Sequence, residues 1–323
     1  MPLQWIISDQ TNPYLNVSVE NYLLSLPETD LVTLYLWKNR RTVVIGQNQN
    51  PYTECNVDLL NRDGGYVMRR RTGGGAVYHD DGNINFSFIV PVALYDVQRQ
   101  FEVIRRAVGS FGVPTELSGR NDILCQGRKF SGNAFSKGRF QNLHHGTILI
   151  KSNMEDLQRY LRPRPSKLQK HGVSSVRSRV LNLADSFPDI TSESIVLPLV
   201  RAFEEVYGQK ATFLDFKEVS TRDEVSILKS QFASDEWLFG KWRHFQSQKS
   251  FQFPWGGVEL SLQIDAERGV VTDVQLATDA LDTSLPDQFR HLMTEASVDV
   301  PPMLPPDASP ELADLVRLVY DKS

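Results

Sequence analysis

Apolar residues recur along this chain at two spacings, every second position or every third and fourth, and the two spacings change from block to block. Leu3–Ser8 is a short apolar strand, and Asn16–Leu26 (NVSVENYLLSL) carries its apolar residues on one helical face, with Asn16 or Ser18 near its start as a cap. Thr33–Trp37 and Thr42–Ile45 read as strands separated by the polar turn Lys38–Arg41, and the polar run Gly46–Pro51 (GQNQNP) closes the pair. Asn56–Arg62 supplies one or two helical turns, Tyr66–Met68 a short strand, and Ile84–Pro91 (INFSFIVP) a longer one. Val97–Phe111 has helical spacing and meets Gly112 and Pro114, which stop a helix. Ser118–Asp122 (SGRND) leads into two strand-like stretches, Gly127–Ala134 and Asn142–Ile150, so the middle third is mostly sheet.

Met154–Leu161 looks helical until RPRPS at 162–166 breaks it. Lys170–Leu183 (KHGVSSVRSRVLNL) is basic, polar and rich in serine, the profile of a mobile surface loop. Ser194–Tyr207 is a helix with Ser192 as its expected cap and Gly208 as its stop. Beyond Trp237–Phe245 the pattern changes: Ser250–Trp255, Val258–Asp265 and Val270–Thr278 alternate as strands around Gly256-Gly257 and Arg268-Gly269 turns. Helices at Asp287–Glu295 and Glu311–Tyr320 flank the stiff segment Val300–Pro306. The chain therefore reads as α/β (α+β), with a large domain over 1–245 and a small α+β domain over 246–323.

Composition narrows the function classes. With 323 residues, 41% hydrophobic and 23% charged, the chain is large enough for one big core or two domains. A formal net charge of -4 gives no global field for nucleic acid, so an anion site must be a local concentration of arginine. Two cysteines, Cys55 and Cys125, are too few for a disulfide framework and lack zinc-ligand spacing, which suits a reducing compartment. The first residues, MPLQWIISDQTNPYLN, lack a secretory pattern, and no run approaches the roughly 20 apolar residues of a membrane span. The expectation is a cytoplasmic, monomeric protein without a membrane or nucleic-acid partner.

The stretch Arg69 to His79 (RRRTGGGAVYH) joins bare backbone to permanent cations. Glycine lets successive amides converge without Cβ hindrance and arginine supplies a fixed fork of donors, the combination that brings protein close to a phosphate. A flexible hairpin with basic ends is the plain alternative. Neither G-x-G-x-x-G opening a helix nor G-x-x-x-x-G-K-[ST] occurs, so any nucleotide site uses another architecture. Strand alternation would send Arg70 to the side opposite Arg69 and Arg71. Lys129, among Gly127, Arg128, Phe130, Ser131 and Gly132, is placed to meet a carboxylate and a phosphate together, or is a solvated strand end. Asp122 would orient that lysine or hold a divalent cation, although an exposed turn is the commoner place for an aspartate. His144 and His145 precede Gly146 and Thr147, more in the manner of hydrogen-bonded structural residues than of a base, and Cys125 beside Ile123 and Leu124 reads as a buried strand cysteine.

Taken together, RRRTGGGAVYHDDGN at 69–83, SGRNDIL at 118–124, RKFSGNA at 128–134, HHGT at 144–147 and SVRSRVLNL at 175–183 closely resemble the lipoate-protein ligases. The resemblance spans nearly the whole chain, from ISDQTNPYLN through VVIGQNQNPYTECN at 43–56 to WGGVEL in the second domain. It implies a large mixed-sheet catalytic domain of biotin/lipoate-ligase type with a small carboxy-terminal domain. The implied activity makes lipoyl-AMP from lipoate and ATP with Mg²⁺, then passes the lipoyl group to a lysine of an apo lipoyl domain, with no bound prosthetic group. Implied partners are lipoyl domains of 2-oxo-acid dehydrogenase acyltransferase subunits and the glycine-cleavage carrier protein.

Residue by residue, the resemblance assigns Arg70, Gly75, Ala76, Val77 and Tyr78 to the nucleotide and adenylate phosphate, with Gly73 and Gly74 permitting the approach. Lys129 would touch both lipoyl carbonyl and α-phosphate, and Asp122 would serve the nucleotide or Mg²⁺. Ser175 and Arg177 fall in the family's adenylate-binding loop, here Gly172–Leu183. Gly74, Gly75, His79, Asn83, Ala134 and His145 would meet lipoate with Lys129, and Val44 would join the greasy slot. One departure is the short stretch Ile123–Arg128 between Asp122 and Lys129, which implies a small hairpin. A lipoyltransferase using ready-made lipoyl-AMP, a cysteine-dependent octanoyltransferase and a non-catalytic lipoyl-binding protein are the competing readings.

Overall fold

The computed structural model describes residues 1–27, 30–118, 121–162, 180–242, 249–265 and 268–320. The first strand, β1 (Leu3–Ile7), leads into α1 (Pro13–Ser25), which returns the chain to β2 (Val32–Trp37), parallel to β1. β3 (Thr42–Ile45), α2 (Pro51–Glu54), α3 (Val57–Arg62), β4 (Tyr66–Arg69) and β5 (Val77–His79) precede the long strand β6 (Asn83–Pro91). The chain continues through α4 (Val97–Gly109), β7 (Glu116–Ser118), β8 (Asp122–Cys125), β9 (Arg128–Lys137), β10 (Gln141–Leu149) and α5 (Met154–Tyr160). Then come α6 (Val196–Tyr207), β11 (Ala211–Phe213), α7 (Phe216–Ser220), α8 (Asp223–Phe232) and α9 (Asp235–Phe239).

An 8-stranded mixed sheet runs in the order β11-β1-β2-β6-β10-β9-β8-β7, beside a 3-stranded sheet β4-β3-β5. Alternation across the large sheet sorts its side chains into two cores. Val32, Leu34, Leu36, Ile84, Phe86, Phe88 and Val90 pack with α4 and α6 on one face. Tyr35, Trp37 and Ile89 join α1, α7 and α8 on the other. Covered on both faces, β6 is buried at all 9 positions, which is why INFSFIVP reads as an almost unbroken apolar run. Each fully buried phenylalanine in that strand contributes about 2–3 kcal/mol of apolar transfer.

Several local expectations are corrected. Helix α1 starts at Pro13, and its cap is Asn12, whose side chain accepts from the Leu15 N–H. Proline suits that first position because it has no N–H to orphan and its φ is preset, and the cap contributes about 1 kcal/mol. Asn16, inside the helix, instead donates to Lys38 O and Gln10 O, while Ser18 donates to Tyr14 O. Ser192 does not cap α6; its hydroxyl donates to Asp81 O, and Gly208 ends the helix at φ 73° as expected. The glycine loop joins β4 to the unforeseen β5 within the small sheet. The segment from β11 to α9 carries no strong sequence signal, because α8 buries only Val225 and Phe232.

The carboxy-terminal part has its own antiparallel sheet, β12 (Lys249–Phe253), β13 (Gly256–Asp265) and β14 (Val270–Thr278), with α10 (Leu285–Met293) and α11 (Pro310–Tyr320). Val258, Leu260, Leu276, Phe289 and Leu315 form its separate core. The boundary expected at 245/246 lies outside the described residues. Among the described residues, no helix is long and apolar enough to cross a membrane.

Candidate functional site

Asn83, Asn85 and Ser87 share one face of β6 and are buried, which costs free energy unless that face serves polar partners. A cavity of about 610 Å³ opens there, bounded by Asn85, by His145 and Thr147 of β10, and by Ala134 of β9. Val17 and Glu20 of α1, Trp37, and Val44, Met68 and Val77 of or beside the small sheet close it. The cavity thus has an extensive apolar wall, an extension of the second core.

The three arginines leaving β4 alternate as strand residues do. Arg70 turns into the cavity wall, whereas Arg69 and Arg71 turn toward Trp237. Arg69 donates to the carbonyls of Gly46, Gln47, Gln49, Trp237 and Leu238, tying α9 to the loop after β3. Arg70 donates to Thr72 Oγ1 at 3.0 Å, to Gly73 O at 2.7 Å, to Gly75 O at 2.8 Å and to Val44 O at 3.3 Å. Its guanidinium therefore shapes the glycine loop from inside. Burial lowers Arg70 to about 10, against the opposing pull of Glu20 and Asp279, so it remains charged near neutral pH. Gly74 adopts φ 91°, open to few residues other than glycine, and its N–H donates to Ala280 O at 3.2 Å.

Lys129 reaches the cavity through a local irregularity. The hairpin from β8 to β9 turns at Gln126 and Gly127, with φ 54° and 70°. In the pairing Asp122 opposes Gly132 and Ile123 opposes Ser131, but Leu124 opposes Lys129, a β-bulge that skips Phe130. Without the bulge, alternation would put Lys129 on the face of Ser131; with it, Lys129 shares the face of Asp122. Its ammonium lies 2.7 Å from Asp122 Oδ1, both groups about one-third exposed. Leu181 N–H donates to Lys129 O at 2.8 Å, so the strand is held from the other side as well.

A buried polar chain runs behind the apolar wall. Trp37 Nε1 donates to Ser87 Oγ at 3.0 Å, and Ser87 donates to Glu20 Oε1 at 2.6 Å. His145 Nδ1 lies 2.8 Å from the same carboxylate oxygen, and His145 Nε2 lies 2.8 Å from Thr72 Oγ1. A carboxylate only accepts, so His145 Nδ1–H donates to Glu20, while Thr72 Oγ1 takes the Arg70 N–H and meets His145 Nε2 on its other side. His79 lies beside it, with Asn39 Nδ2 3.3 Å from Nδ1 and no partner for Nε2 among the described residues. Burial, with Arg70 and His145 nearby, pushes His79 down to about 3. The ring there stays neutral, with its Nε2 buried.

Residues 12–204 match the sequence model of the lipoyl protein ligase A/B catalytic domain. The chain belongs to this family. The lipoate-protein ligase A of Psychrobacter cryohalolentis is 37% identical over 307 residues, covering 93% of this chain and 90% of the relative. The crystal structure of P. falciparum LipL1 in complex with lipoate superposes with a TM-score of 0.82 at 27% identity, covering 98% of this chain and 99% of that one. A lipoate-protein ligase A structure bound with ATP shares the fold at TM-score 0.62 and 24% identity, over 74% of this chain and 99% of that one.

Within this ligase-family site, Lys129, Asp122, Arg70, Gly74, Gly75, Ala76, Val77, His79, Ala134, His145 and Val44 all border the cavity. Asn83 stands behind it, donating to Asn85 Oδ1 at 2.9 Å. The side chain of Tyr78 faces away, packing on Tyr160 and donating to Asp156 at 3.4 Å. Ser175 and Arg177 lie outside the described residues. Cys55 and Cys125 are buried away from the cavity, and burial pushes Cys55 up to about 12 and raises Cys125. Sequence reasoning missed Glu20 and Trp37, for which a carboxylate among the apolar residues of α1 was the available signal. It also missed Trp255, Asp279 and Leu281, by which the carboxy-terminal part contributes to the cavity wall.

Proposed function

We infer that this ligase-family chain is an ATP-dependent lipoate-protein ligase. It activates lipoate to lipoyl-AMP with release of pyrophosphate, then transfers the lipoyl group to a lysine of an apo lipoyl domain. The carrying observation is a cavity that combines the Lys129–Asp122 pair and the glycine loop with an apolar wall of Val17, Trp37, Val44 and Met68. Lipoate has one carboxylate on an apolar chain, and the two kinds of wall suit its two ends.

In the first step the lipoate carboxylate attacks the α-phosphorus and pyrophosphate leaves. Charge grows on the phosphate oxygens, where the Lys129 ammonium and the amides of Gly75–Val77 stabilise it. In the second step the acceptor amine attacks the acyl carbonyl, Lys129 stabilises the oxyanion, the amine loses its proton, and AMP departs. Arg70 keeps the loop in shape throughout and adds its positive charge. Among the described residues no group of three or more histidine, cysteine or carboxylate side chains is arranged to hold a metal. Mg²⁺ ordinarily takes one or two carboxylates beside phosphate oxygens and water, and Asp122 fits that part, where the ion would neutralise phosphate charge.

The catalytic part spans 1–245 and the accessory part 246–323. The acceptors are lipoyl domains of 2-oxo-acid dehydrogenase acyltransferases and the glycine-cleavage carrier protein, the chain acts as a monomer, and two free buried cysteines suit the reducing cytoplasm. The test incubates the purified chain with lipoate and an apo lipoyl domain, with and without ATP, following carrier mass and pyrophosphate. ATP-dependent lipoylation is expected; lipoylation from lipoyl-AMP but not from lipoate and ATP would make it a lipoyltransferase. Activity surviving thiol alkylation separates it from a cysteine-dependent octanoyltransferase. Lys129→Ala is expected to lose both half-reactions, and normal transfer from preformed lipoyl-AMP by that variant would remove Lys129 from the second.

A further inference from the structure

His144 and His145 are neighbours on β10 and face opposite sides of the sheet. His145 borders the cavity, whereas His144 is fully buried beneath it among Phe86, Phe88, Phe101 and Phe135, with ring centroids 4.7 to 5.8 Å away. An apolar ring would fill that space without the desolvation a polar one incurs. The imidazole instead makes two hydrogen-bond contacts, Nδ1 to the Gln100 amide and Nε2 to Asn133 Oδ1, both at 2.9 Å.

Asn133 is how this buried ring reaches the site. Asn133 pairs with Gly146 and so shares the face of His144, and its Oδ1 lies 2.6 Å from where a Cβ on Gly146 would stand, in the space the glycine leaves open. Toward the turn before β8, Asn133 Nδ2 donates to Asn121 O at 2.9 Å and Asn133 N–H donates to the same oxygen at 3.0 Å. Asn121 Nδ2 returns a bond to Asn133 O at 2.6 Å. With Nδ2 committed to Asn121, the Asn133 amide presents its oxygen to His144, which donates Nε2–H; the neutral ring then accepts at Nδ1, so the Gln100 amide turns its otherwise unpartnered NH2, rather than its oxygen, to Nδ1. Burial keeps that ring neutral, holding His144 well below the usual histidine range. Asn121 is followed by Asp122, whose carboxylate holds the Lys129 ammonium.

We propose that His144 is a positioning residue for Lys129, acting through the Asn133 amide and the Asn121–Asp122 turn. The proposal rests on the reading of Lys129 as the group that meets the adenylate. It is tested by kcat and KM for pyrophosphate release from lipoate and ATP in His144→Phe, His144→Gln, Asn133→Ala and the double variant His144→Phe/Asn133→Ala. Misplacing Lys129 should lower kcat about ten- to hundredfold in His144→Phe and Asn133→Ala with KM for lipoate little changed. The double variant should fall no further than the worse single one, and His144→Gln, whose amide donates to Asn133, should recover most of kcat. An unchanged kcat in His144→Phe, or multiplicative losses in the double variant, overturns the proposal. Nitrogen-15 spectra of the wild-type imidazole decide the contact even if a variant does not fold: a neutral Nε2–H ring is expected near pH 7, and an Nδ1–H or charged ring overturns it. A wild type that releases no pyrophosphate counts instead against the ligase reading, and the spectra still decide the His144 contact.

Discussion

The side chain of Lys129 occupies the space that a Cβ on Gly132 would need: such an atom would stand 2.6 Å from Lys129 Cε and 2.7 Å from Nζ. Gly132 is also the residue opposite Asp122, so the missing side chain lets the ammonium cross to its carboxylate. Gly132→Ala should displace the lysine and lower lipoyl-AMP formation about hundredfold, while the melting temperature moves little because the lysine end is partly exposed. Steady-state kinetics beside calorimetry check this, and unchanged kcat would mean the lysine works from another position.

Arg70 illustrates why charge alone does not replace geometry. It bridges Val44 O, Gly73 O, Gly75 O and Thr72 Oγ1 with one planar group. Lysine carries the charge but not the fork. Arg70→Lys should cost roughly 2–3 kcal/mol of stability and reduce ATP-dependent turnover. Urea unfolding measures the first and pyrophosphate release from lipoate and ATP the second, and wild-type stability in the variant would reject the loop-holding role.

Gln126 holds φ 54° in the two-residue turn between β8 and β9. Two adjacent residues at positive φ define the type I′ hairpin, which favours Asn-Gly over Gln-Gly. Gln126→Asn should raise stability by about 0.5–1 kcal/mol with catalysis unaltered. A melting temperature at or below wild type would contradict this.

The buried His79 makes stability depend on pH. Unfolded, the ring takes a proton near 6.5; folded, burial with Arg70 and His145 nearby delays protonation to about 3. The unfolded state therefore binds more protons between those values, and the His79 contribution is intact above 6.5 and lost as pH falls toward 3. Between pH 7 and 5 the wild type should lose about 2 kcal/mol more than His79→Leu. Denaturant titrations of both proteins at the two pH values test the sign, and equal losses would show that His79 titrates normally.

How much was legible depended on whether a feature is local. RRRTGGG and RKFSGNA are contiguous strings whose chemistry is visible without a fold, and the strands and helices flanking them follow from short-range periodicity. Strand β5 is only 3 residues long and its partner β3 is distant in sequence, so no local pattern marks it. Glu20 and Trp37 meet His145 and Ser87 only because α1, β2, β6 and β10 stack side by side. The carboxy-terminal contribution to the wall depends on contacts such as Asn48 to Thr283, which join remote segments.

By itself the sequence determined the family, the α/β class and the residues able to carry phosphate and acyl chemistry, because these reside in residue identity and short-range order. Tertiary structure alone decided which way those residues face. A single-residue bulge turns Lys129 toward Asp122, alternation sends Arg70 into the cavity and Arg69 out of it, and Tyr78 faces away although its neighbours Val77 and His79 do not. Facing is a property of strand register, and register is set by partners far along the chain.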